Sequence, residues 1–227
     1  MEENVKETLQ ENLQPLDYAK ALIETIMRKY EAGALPPEGH FHYHQGVFLS
    51  GVYQNYLLCE DERYFQYMKQ WVDVMLDEDG TIRDYGSGHL DDIQPGNLLF
   101  PLYERTKEQK YRRTLDHLAE LVRNFPRNAE GGFWHMDCFA GQMWLDGLYM
   151  AGPFSVHYAA AFQSPELFDS AAKQALLMEK KTKDPVSGLW YHAWDSEKKG
   201  RVGRQKYRIV ARVLGAFDWL DSSCCFG

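Results

Sequence analysis

The sequence predicts an all-α protein built from helical hairpins. Apolar residues recur at three- and four-residue steps along most of the chain, whereas the alternation typical of strands is scarce. Turn residues such as Asp79-Gly80 and Ser187-Gly188 separate these segments. The periodicity predicts the following helices: Leu16–Tyr30, Gly46–Leu58, Tyr64–Leu76, Ile93–Tyr103, Glu108–Asn124, Met143–Phe162 and Pro165–Lys181.

The predicted helices repeat in pairs. An aromatic residue opens the second helix of each pair, at Tyr64, Tyr111 and Phe168, which are 47 and 57 residues apart. The loops between pairs hold the Gly-, Trp-, His- and Asp-rich segments, so one end of the array collects them, as in the sugar-binding mouth of an αα-toroid. A closed ring of six hairpins needs roughly 340 residues at this period. The 227 residues therefore predict an incomplete barrel or an open helical array.

The composition excludes several classes of partner. A formal charge of −8 argues against nucleic acid or an anionic membrane, although a few local bases are enough to receive a small acidic substrate. The sequence has no apolar signal-peptide core and no bilayer-spanning run, which predicts a cytoplasmic protein. It has no phosphate loop and no metal quartet, so no cofactor or metal is expected. Without CxxC spacing, four cysteines are predicted to be free thiols: Cys59, Cys138, Cys224 and Cys225.

The strongest candidate site lies in two neighbouring segments, Gly131–Asp137 and Gln142–Met150. Asp146 follows Leu145 and precedes Gly147 in an apolar, aromatic run, where a charge is costly to bury unless it is paired or protonated. One interpretation is a carboxyl kept for chemistry, beside aromatic planes that suit a sugar ring. The other is an aspartate that caps a helix whose aromatic side is ordinary core.

Five motifs occur in the order and spacing of a known family: His42–Phe48, Leu90–Gly96, Gly131–His135, Gln142–Met150 and Tyr191–Asp195. They resemble the unsaturated rhamnogalacturonyl hydrolases, glycoside hydrolase family 105, which are relatives of the family 88 unsaturated glucuronyl hydrolases. The resemblance covers nearly all of the chain up to about residue 200. It implies an (α/α)6 barrel that removes a 4,5-unsaturated uronic acid from the end of an oligosaccharide.

The resemblance also implies a mechanism and a set of residues. In the family, a carboxylic acid protonates C4 of the vinyl ether, water adds at C5, and the hemiketal opens and releases the aglycone. By motif, Asp146 is the general acid/base and Asp91 is the second carboxylate. Apolar walls and the like charge of Asp91 are expected to keep Asp146 protonated near neutral pH. Four residues are implied to line the sugar subsite: Tyr43, His135, Trp144 and His192.

Simpler roles stay open for several residues. Asp91 and Asp92 precede a predicted helix, so either one could be only its N-cap. His192 and Trp194 could pack in the core, although their loop position favours the cleft. Three alternating histidines could suggest a metal site, but no acidic or cysteine partner is near in register. Core or surface positions are therefore favoured for all three: His40, His42 and His44.

The likeness stops after about Gly200, which divides residues 1–200 from a divergent tail, residues 201–227. The family continues with a motif like WADxxTGxSPEFWARSIGW, whose Arg is expected to meet the substrate carboxylate. Codons for Val202–Trp219 can be chosen that, read one nucleotide later, encode WADKNTGLSPEFWARSIG. We therefore hypothesise that the tail is an out-of-frame extension. An incomplete toroid would expose apolar helix faces and favour self-association.

The expected function is release of 4,5-unsaturated galacturonic acid from the non-reducing end of rhamnogalacturonan oligosaccharides, as in pectin degradation. One alternative is an unsaturated glucuronyl hydrolase that acts on glycosaminoglycan-type disaccharides. Another is an inactive relic or a helical carbohydrate binder. A binder would be stabilised by the disaccharide without consuming it.

Overall fold

A computed structural model describes residues 13–86 and 88–202 as a row of helical hairpins with a small sheet. The predicted helical class is confirmed. We number the helices of the described residues α1 (Pro15–Lys29), α2 (Tyr43–Cys59), α3 (Glu62–Met75), α4 (Leu99–Thr106), α5 (Gln109–Asn124), α6 (Gly147–Phe162) and α7 (Pro165–Thr182). Short 3₁₀ helices lie between them at Ala32–Ala34, Leu90–Asp92, Gln94–Leu98 and Asp137–Phe139.

The hairpins α2–α3, α4–α5 and α6–α7 turn in the same way. Their first helices end at Glu60, Lys107 and Gln163, which have left-handed φ angles of 56, 60 and 56°. In each case the backbone N–H donates to the carbonyl four residues earlier and closes the last turn. The second helix then packs back against the first. This shared geometry confirms the predicted repeat.

Helices α2, α4 and α6 form an inner layer. The 3₁₀ helix Gln94–Leu98, which leads into α4, packs against both α2 and α6. Glycine permits the close approach, because a Cβ on Gly46 would meet Pro95 at 2.9 Å and one on Gly96 would meet Phe154 at 2.8 Å. The outer helices α1, α3, α5 and α7 pack against this layer, and the hydrophobic core lies between the two.

A three-stranded antiparallel sheet interrupts the helical array. Its strands are β1 (Gln142–Trp144), β2 (Ala193–Asp195) and β3 (Gly200–Val202), with β2 in the centre. The predicted helix Met143–Phe162 is therefore wrong at its start, because α6 begins only at Gly147. Within β1 only the middle residue is buried, which is the period of two that a strand requires. The sheet ties the segment after α7 to the segment before α6.

Other expectations have mixed outcomes. The predicted helix Ile93–Tyr103 begins as a 3₁₀ helix and becomes α-helical only at Leu99. Cys59 is a free thiol, as predicted, and Cys138 forms no disulfide bond with another described residue. None of the helices within residues 13–86 and 88–202 has the length and apolarity needed to cross a membrane. Residues 203–227 lie outside the described residues, so the tail hypothesis, the domain boundary and two further thiols stay predictions: Cys224 and Cys225.

Candidate functional site

The site forms where the three inner helices begin. Tyr43 is the first residue of α2, Asp91 lies in the 3₁₀ turn before α4, and Asp146 directly precedes α6. His135 comes from the loop before β1 and ties these starts together through its backbone. Its carbonyl accepts the N–H of Leu90 at 3.0 Å, and its own N–H donates to the carbonyl of Gln142 at 2.8 Å. Each inner helix thus has one candidate functional side chain at or before its start: Tyr43, Asp91 or Asp146.

His135 lies between the two carboxylates. Its Nε2 is 3.3 Å from Asp91 Oδ1 and 4.0 Å from Asp146 Oδ2. The His135 side chain is 1% exposed and that of Asp91 is 10% exposed, whereas that of Asp146 is 39% exposed. The three groups therefore form a graded cluster, in which a buried histidine and a buried carboxylate support a carboxylate that faces solvent.

The charges of the cluster stabilise one another. Burial would raise the pKa of Asp91, but contact with His135 and the positive charges of His135, His42 and His89 outweigh burial and hold that pKa below its usual value. Burial would lower the pKa of His135, yet Asp91 and, more weakly, Asp146 raise it above its usual value. The two shifts agree in direction, as expected for an ion pair. Asp91 is therefore an ionised carboxylate near neutral pH.

Aromatic rings wall one side of the cluster. The Trp144 ring stacks on His135 with centroids 4.4 Å apart and planes 5° from parallel. His192 lies 5.2 Å from the Trp144 ring, and its backbone carbonyl accepts the N–H of Leu145 at 2.6 Å. Burial lowers the pKa of His192, although the charge of Asp146 partly offsets this. A neutral His192 can donate a hydrogen bond to a substrate oxygen.

Tyr43 completes the set of six predicted site residues. Burial raises the pKa of its hydroxyl, and the negative charges of Asp91 and Asp146 raise it further. Tyr43 is therefore a neutral phenol that faces both carboxylates. The structure brings all six predicted residues to one end of the inner layer: Tyr43, Asp91, His135, Trp144, Asp146 and His192.

The helix-cap interpretation of Asp146 is not supported by its contacts. Asp146 occupies the N-cap position of α6, but its side chain makes no cap hydrogen bond. Its Oδ1 is buried and has no hydrogen-bond partner among the described residues, which is costly for a carboxylate that serves only the fold. Asp91 and Asp92 do not occupy N-cap positions, because the N-caps of the two neighbouring 3₁₀ helices are His89 and Ile93. The N-cap alternative for these two residues is therefore wrong.

His42 belongs to the site, although core or surface packing was expected for it. Its Nδ1 is 2.6 Å from Asp92 Oδ1, and its Nε2 is 3.9 Å from Asp91 Oδ2. These contacts were not predicted, because only acidic partners near in sequence were considered, whereas these are about fifty residues away. The usable signal was the pairing of a histidine motif with the Asp91-Asp92 motif, both of which precede an inner helix.

Trp194 pairs with Met143 across the sheet and lies beneath Lys181.

The cluster was also considered as a metal site, because three possible ligand atoms lie within 4.8 Å of one another, one each from Asp91, His135 and Asp146. Two carboxylate oxygens and an imidazole nitrogen are compatible with a divalent cation. Asp91 and His135 already form the ion pair described above. We propose no metal at this cluster.

Toroidal arrays of helical hairpins that present carboxylates at the starts of their inner helices are typical of one class of sugar-cleaving enzymes, the helical-toroid glycosidases. Comparison with known families agrees with this class. Residues 18–210 match Glycosyl Hydrolase Family 88, and the chain belongs to that family.

Individual relatives narrow the relationship. Over 162 residues the chain is 34% identical to the unsaturated rhamnogalacturonyl hydrolase YesR of Bacillus subtilis strain 168, a match that covers 67% of this chain and 44% of YesR. A family 105 glycoside hydrolase structure from C. acetobutylicum ATCC 824 matches with a TM-score of 0.75 and 31% identity, over 82% of this chain and 53% of that one. The GH76A α-1,6-mannanase of Salegentibacter sp. HEL1_6 shares the fold at 17% identity and a TM-score of 0.65, over 85% and 59% of the two chains. The chain thus spans about half the length of these relatives.

Proposed function

We propose that this protein removes a 4,5-unsaturated galacturonic acid from the non-reducing end of rhamnogalacturonan oligosaccharides. The observation that carries the proposal is the cluster of Asp91, His135 and Asp146 at the inner helix starts. The name of the relative YesR supports the choice of substrate. The substrate would be a small acidic oligosaccharide of the kind that pectin yields.

The reaction needs one group that gives a proton and takes one back. Asp146 is the proposed group, because it is the most exposed member of the cluster and its buried Oδ1 lacks a partner among the described residues. In the proposed sequence its carboxyl proton moves to C4 while the C4–C5 double bond opens. Water then adds its oxygen at C5 and returns a proton to Asp146. The hemiketal opens, and the aglycone leaves.

The other residues bind and orient the sugar. Asp91 remains ionised beside His135, so it is a fixed negative charge that stabilises positive charge developing at C5. The neutral hydroxyl of Tyr43 and the ring of His192 can donate hydrogen bonds to the uronate. Trp144 provides the wall against which the ring lies.

A second candidate is an unsaturated glucuronyl hydrolase. The match to Glycosyl Hydrolase Family 88 favours it, because the unsaturated glucuronyl hydrolases named above belong to family 88. Both candidates use the same proton transfer and differ only in the uronic acid and the aglycone. Comparison of unsaturated galacturonyl-rhamnose with an unsaturated glucuronyl disaccharide at equal concentration separates them.

The test follows the ultraviolet absorbance of the conjugated double bond in unsaturated galacturonyl-rhamnose. The substrate is incubated with this chain and with a longer chain that carries the family continuation in place of residues 202–227. We expect Asp146→Asn to lower the rate by about 10²- to 10⁴-fold, because general acid–base catalysis is worth that much. Retained turnover in Asp146→Asn would remove this residue from the acid role. A thermal shift without loss of absorbance would identify a carbohydrate binder.

Two further expectations are part of the proposal. Exposed apolar residues on α2 and α6 support self-association through the inner helix faces. The cytoplasmic location stays a prediction from the sequence.

A further inference from the structure

A histidine–aspartate pair lies next to the cluster. His42 occupies the N-cap position of α2, and its side chain makes no cap bond to the helix. Its two ring nitrogens instead face two adjacent carboxylates of the 3₁₀ turn before α4. Nδ1 is 2.6 Å from Asp92 Oδ1, and Nε2 is 3.9 Å from Asp91 Oδ2. One imidazole thus links the start of α2 to the turn that carries Asp91.

Each oxygen of Asp91 faces a different histidine. Oδ1 is 3.3 Å from His135 Nε2, and Oδ2 is 3.9 Å from His42 Nε2. These are ion-pair contacts and not hydrogen bonds, because 3.9 Å is too long for one and Asp91 Oδ1 has no hydrogen-bond partner among the described residues. The two histidines come from different loops, and rotation of the carboxylate about its Cβ–Cγ bond would change both contacts.

The side chain of Asp92 contacts His42. Its side chain is 13% exposed, and its carboxylate contacts His42 Nδ1 at 2.6 Å. Its backbone carbonyl accepts the hydroxyl of Tyr85 at 3.3 Å, which anchors the turn. Burial raises the pKa of Asp92 even though His42 opposes the shift. A buried carboxyl of this kind is costly, and the short contact to His42 is what offsets the cost.

His42 is also next to a proposed sugar-binding residue. Its ring lies edge-on to the ring of Tyr43, with centroids 4.8 Å apart. Movement of His42 would therefore shift the Tyr43 ring as well as the Asp91 carboxylate. Tyr43 and Asp91 are the proposed subsite residues, and His42 contacts both of them.

We propose that His42, held by Asp92, is a positioning residue that fixes the Asp91 carboxylate and the Tyr43 ring at the sugar subsite without contacting the sugar. This inference rests on the proposed function for its catalytic consequence. Its structural part concerns only the geometry of the cluster. Supporting residues of this kind hold a reactive group within a few tenths of an ångström of its productive position.

Two substitutions separate the two nitrogens of His42. In His42→Asn the side-chain amide nitrogen replaces Nδ1, so the contact with Asp92 is kept and the approach to Asp91 is lost. In His42→Gln the amide nitrogen replaces Nε2, so the approach to Asp91 is kept and the clamp by Asp92 is lost. Asp92→Asn leaves an acceptor for Nδ1 and serves as the conservative variant. His157→Asn is the control, because His157 stacks on Phe100 away from the site.

The first measurement needs no turnover. Nuclear magnetic resonance of the ¹⁵N-histidine-labelled full chain gives the titration midpoint of His135. Asp91 and Asp146 raise this midpoint, and the neighbouring His192 also interacts with His135. If His42 fixes Asp91, His42→Asn lowers the midpoint of His135 by about 0.5–1 pH unit, because the ion pair loosens. If His42 is only a neighbouring charge, its removal leaves the midpoint unchanged or raises it. Asp92→Asn and His157→Asn are expected to leave it unchanged.

The second measurement uses the absorbance assay with unsaturated galacturonyl-rhamnose. We expect His42→Asn to lower kcat about 10- to 100-fold with KM changed less than about 2-fold, because misplaced groups lose rate before they lose binding. Asp92→Asn is expected to keep most of the rate. If Asp92→Asn lowered kcat as much as His42→Asn does, this would contradict the assignment of His42 as the positioning residue and of Asp92 as the residue that only holds it.

The outcomes distinguish this inference from the proposed function. A chain without turnover whose His135 midpoint falls in His42→Asn supports the positioning geometry and counts against the reaction. Turnover that is unaffected in His42→Asn, together with an unchanged midpoint, overturns the inference and leaves the reaction standing. Loss of folding in both His42→Asn and Asp92→Asn, measured by circular dichroism, would show that the pair only stabilises the fold and would overturn the inference.

Discussion

The outer and inner helices of the array differ in what they expose to solvent. On the outer helices α3 and α5 the buried stripe is apolar, and most exposed positions are polar or charged: Glu62, Arg63, Gln66, Gln70, Gln109, Arg113, His117, Glu120 and Asn124. On the inner helices α2 and α6 many exposed positions are apolar or small: Val47, Gly51, Leu57, Leu58, Tyr149, Pro153, Val156 and Ala160. The outer helices are amphipathic, whereas the inner helices are apolar on nearly every side.

This difference indicates what each layer is suited to contact. An amphipathic helix needs one apolar neighbour, whereas a helix that is apolar all round is typical of one buried on all sides. Among the described residues, the inner face between α2, α4 and α6 instead holds an open cavity of about 220 Å³. Its lining includes Ser50, Tyr53, Asn97, Glu104 and His157. The inner helices therefore combine polar starts, which form the site, with sides suited to a further apolar layer.

The largest expected effect is on the free energy of unfolding, and it comes from the outer layer, whose buried apolar stripe forms part of the hydrophobic core. Trp71 on α3 is fully buried and stacks on Phe41 with ring centroids 5.7 Å apart. We expect Trp71→Ala to lower the free energy of unfolding by about 3–5 kcal/mol, because a large cavity replaces the indole. Urea denaturation followed by circular dichroism measures this. Val74→Ala, at an exposed position of the same helix, is the control and should change stability by less than about 0.5 kcal/mol. Equal effects would show that α3 has no preferred buried face.

A smaller effect is expected of pH on the free energy of unfolding. The prediction compares a charged residue at the start of an inner helix with one on an outer helix. The folded-state pKa of Asp91 is lowered, so its contribution to stability is full above the ordinary aspartate value of about 3.9 and is lost as the pH falls through the folded-state pKa. The folded-state pKa of His135 is raised, so its contribution is full below about 6.5 and is lost as the pH rises through the folded-state pKa. The pair therefore stabilises the fold most between about pH 4 and 6.5.

Asp91→Asn tests this window. Urea denaturation from pH 4 to 9 should show that the stability difference from the wild type peaks near pH 5–6 at about 1–3 kcal/mol and shrinks toward pH 9. Asp73→Asn on the outer helix α3 is the matched control. Asp73 contacts Lys69 at 2.6 Å and Lys110 at 2.9 Å, and neither lysine loses its proton in this range. Its stability difference should stay level up to pH 9. A level profile for Asp91→Asn would show that His135 carries no charge in the folded state.

The fold could be predicted from the sequence where periodicity is long, and it could not where segments are short. Hydrophobic periodicity placed the second helix of each hairpin within about two residues. It missed β1, because three residues are too few to show alternation, and the apolar run after Trp144 extended the helical pattern backwards. The 3₁₀ start at Gln94–Leu98 was missed because a buried turn with proline and glycine resembles a helix start in pattern.

The site could be predicted from motifs only where each motif carries a distinctive residue. Asp146 stood out because it interrupts an apolar run, and Asp91 because of its family motif. The link between His42 and the Asp91-Asp92 pair could not be predicted, because it depends on how two inner helix starts are placed in space. Pattern alone also cannot assign burial, which makes His135 almost inaccessible and leaves Asp146 partly exposed.

The smallest expected effect on stability comes from the exposed inner face, although the effect on association should be large. Val47 on α2 and Val156 on α6 are each 42% exposed, so replacing both with lysine should change the free energy of unfolding by less than about 0.5 kcal/mol per site. If the inner faces associate, sedimentation velocity will show a weight-average mass that rises with concentration for the wild type and stays at the monomer for the double variant. Val74→Lys, at a 45% exposed valine on an outer helix, should behave like the wild type. Equal association of all three proteins would mean that the apolar inner face is not the contact, and the difference between the layers would then concern only the site at their ends.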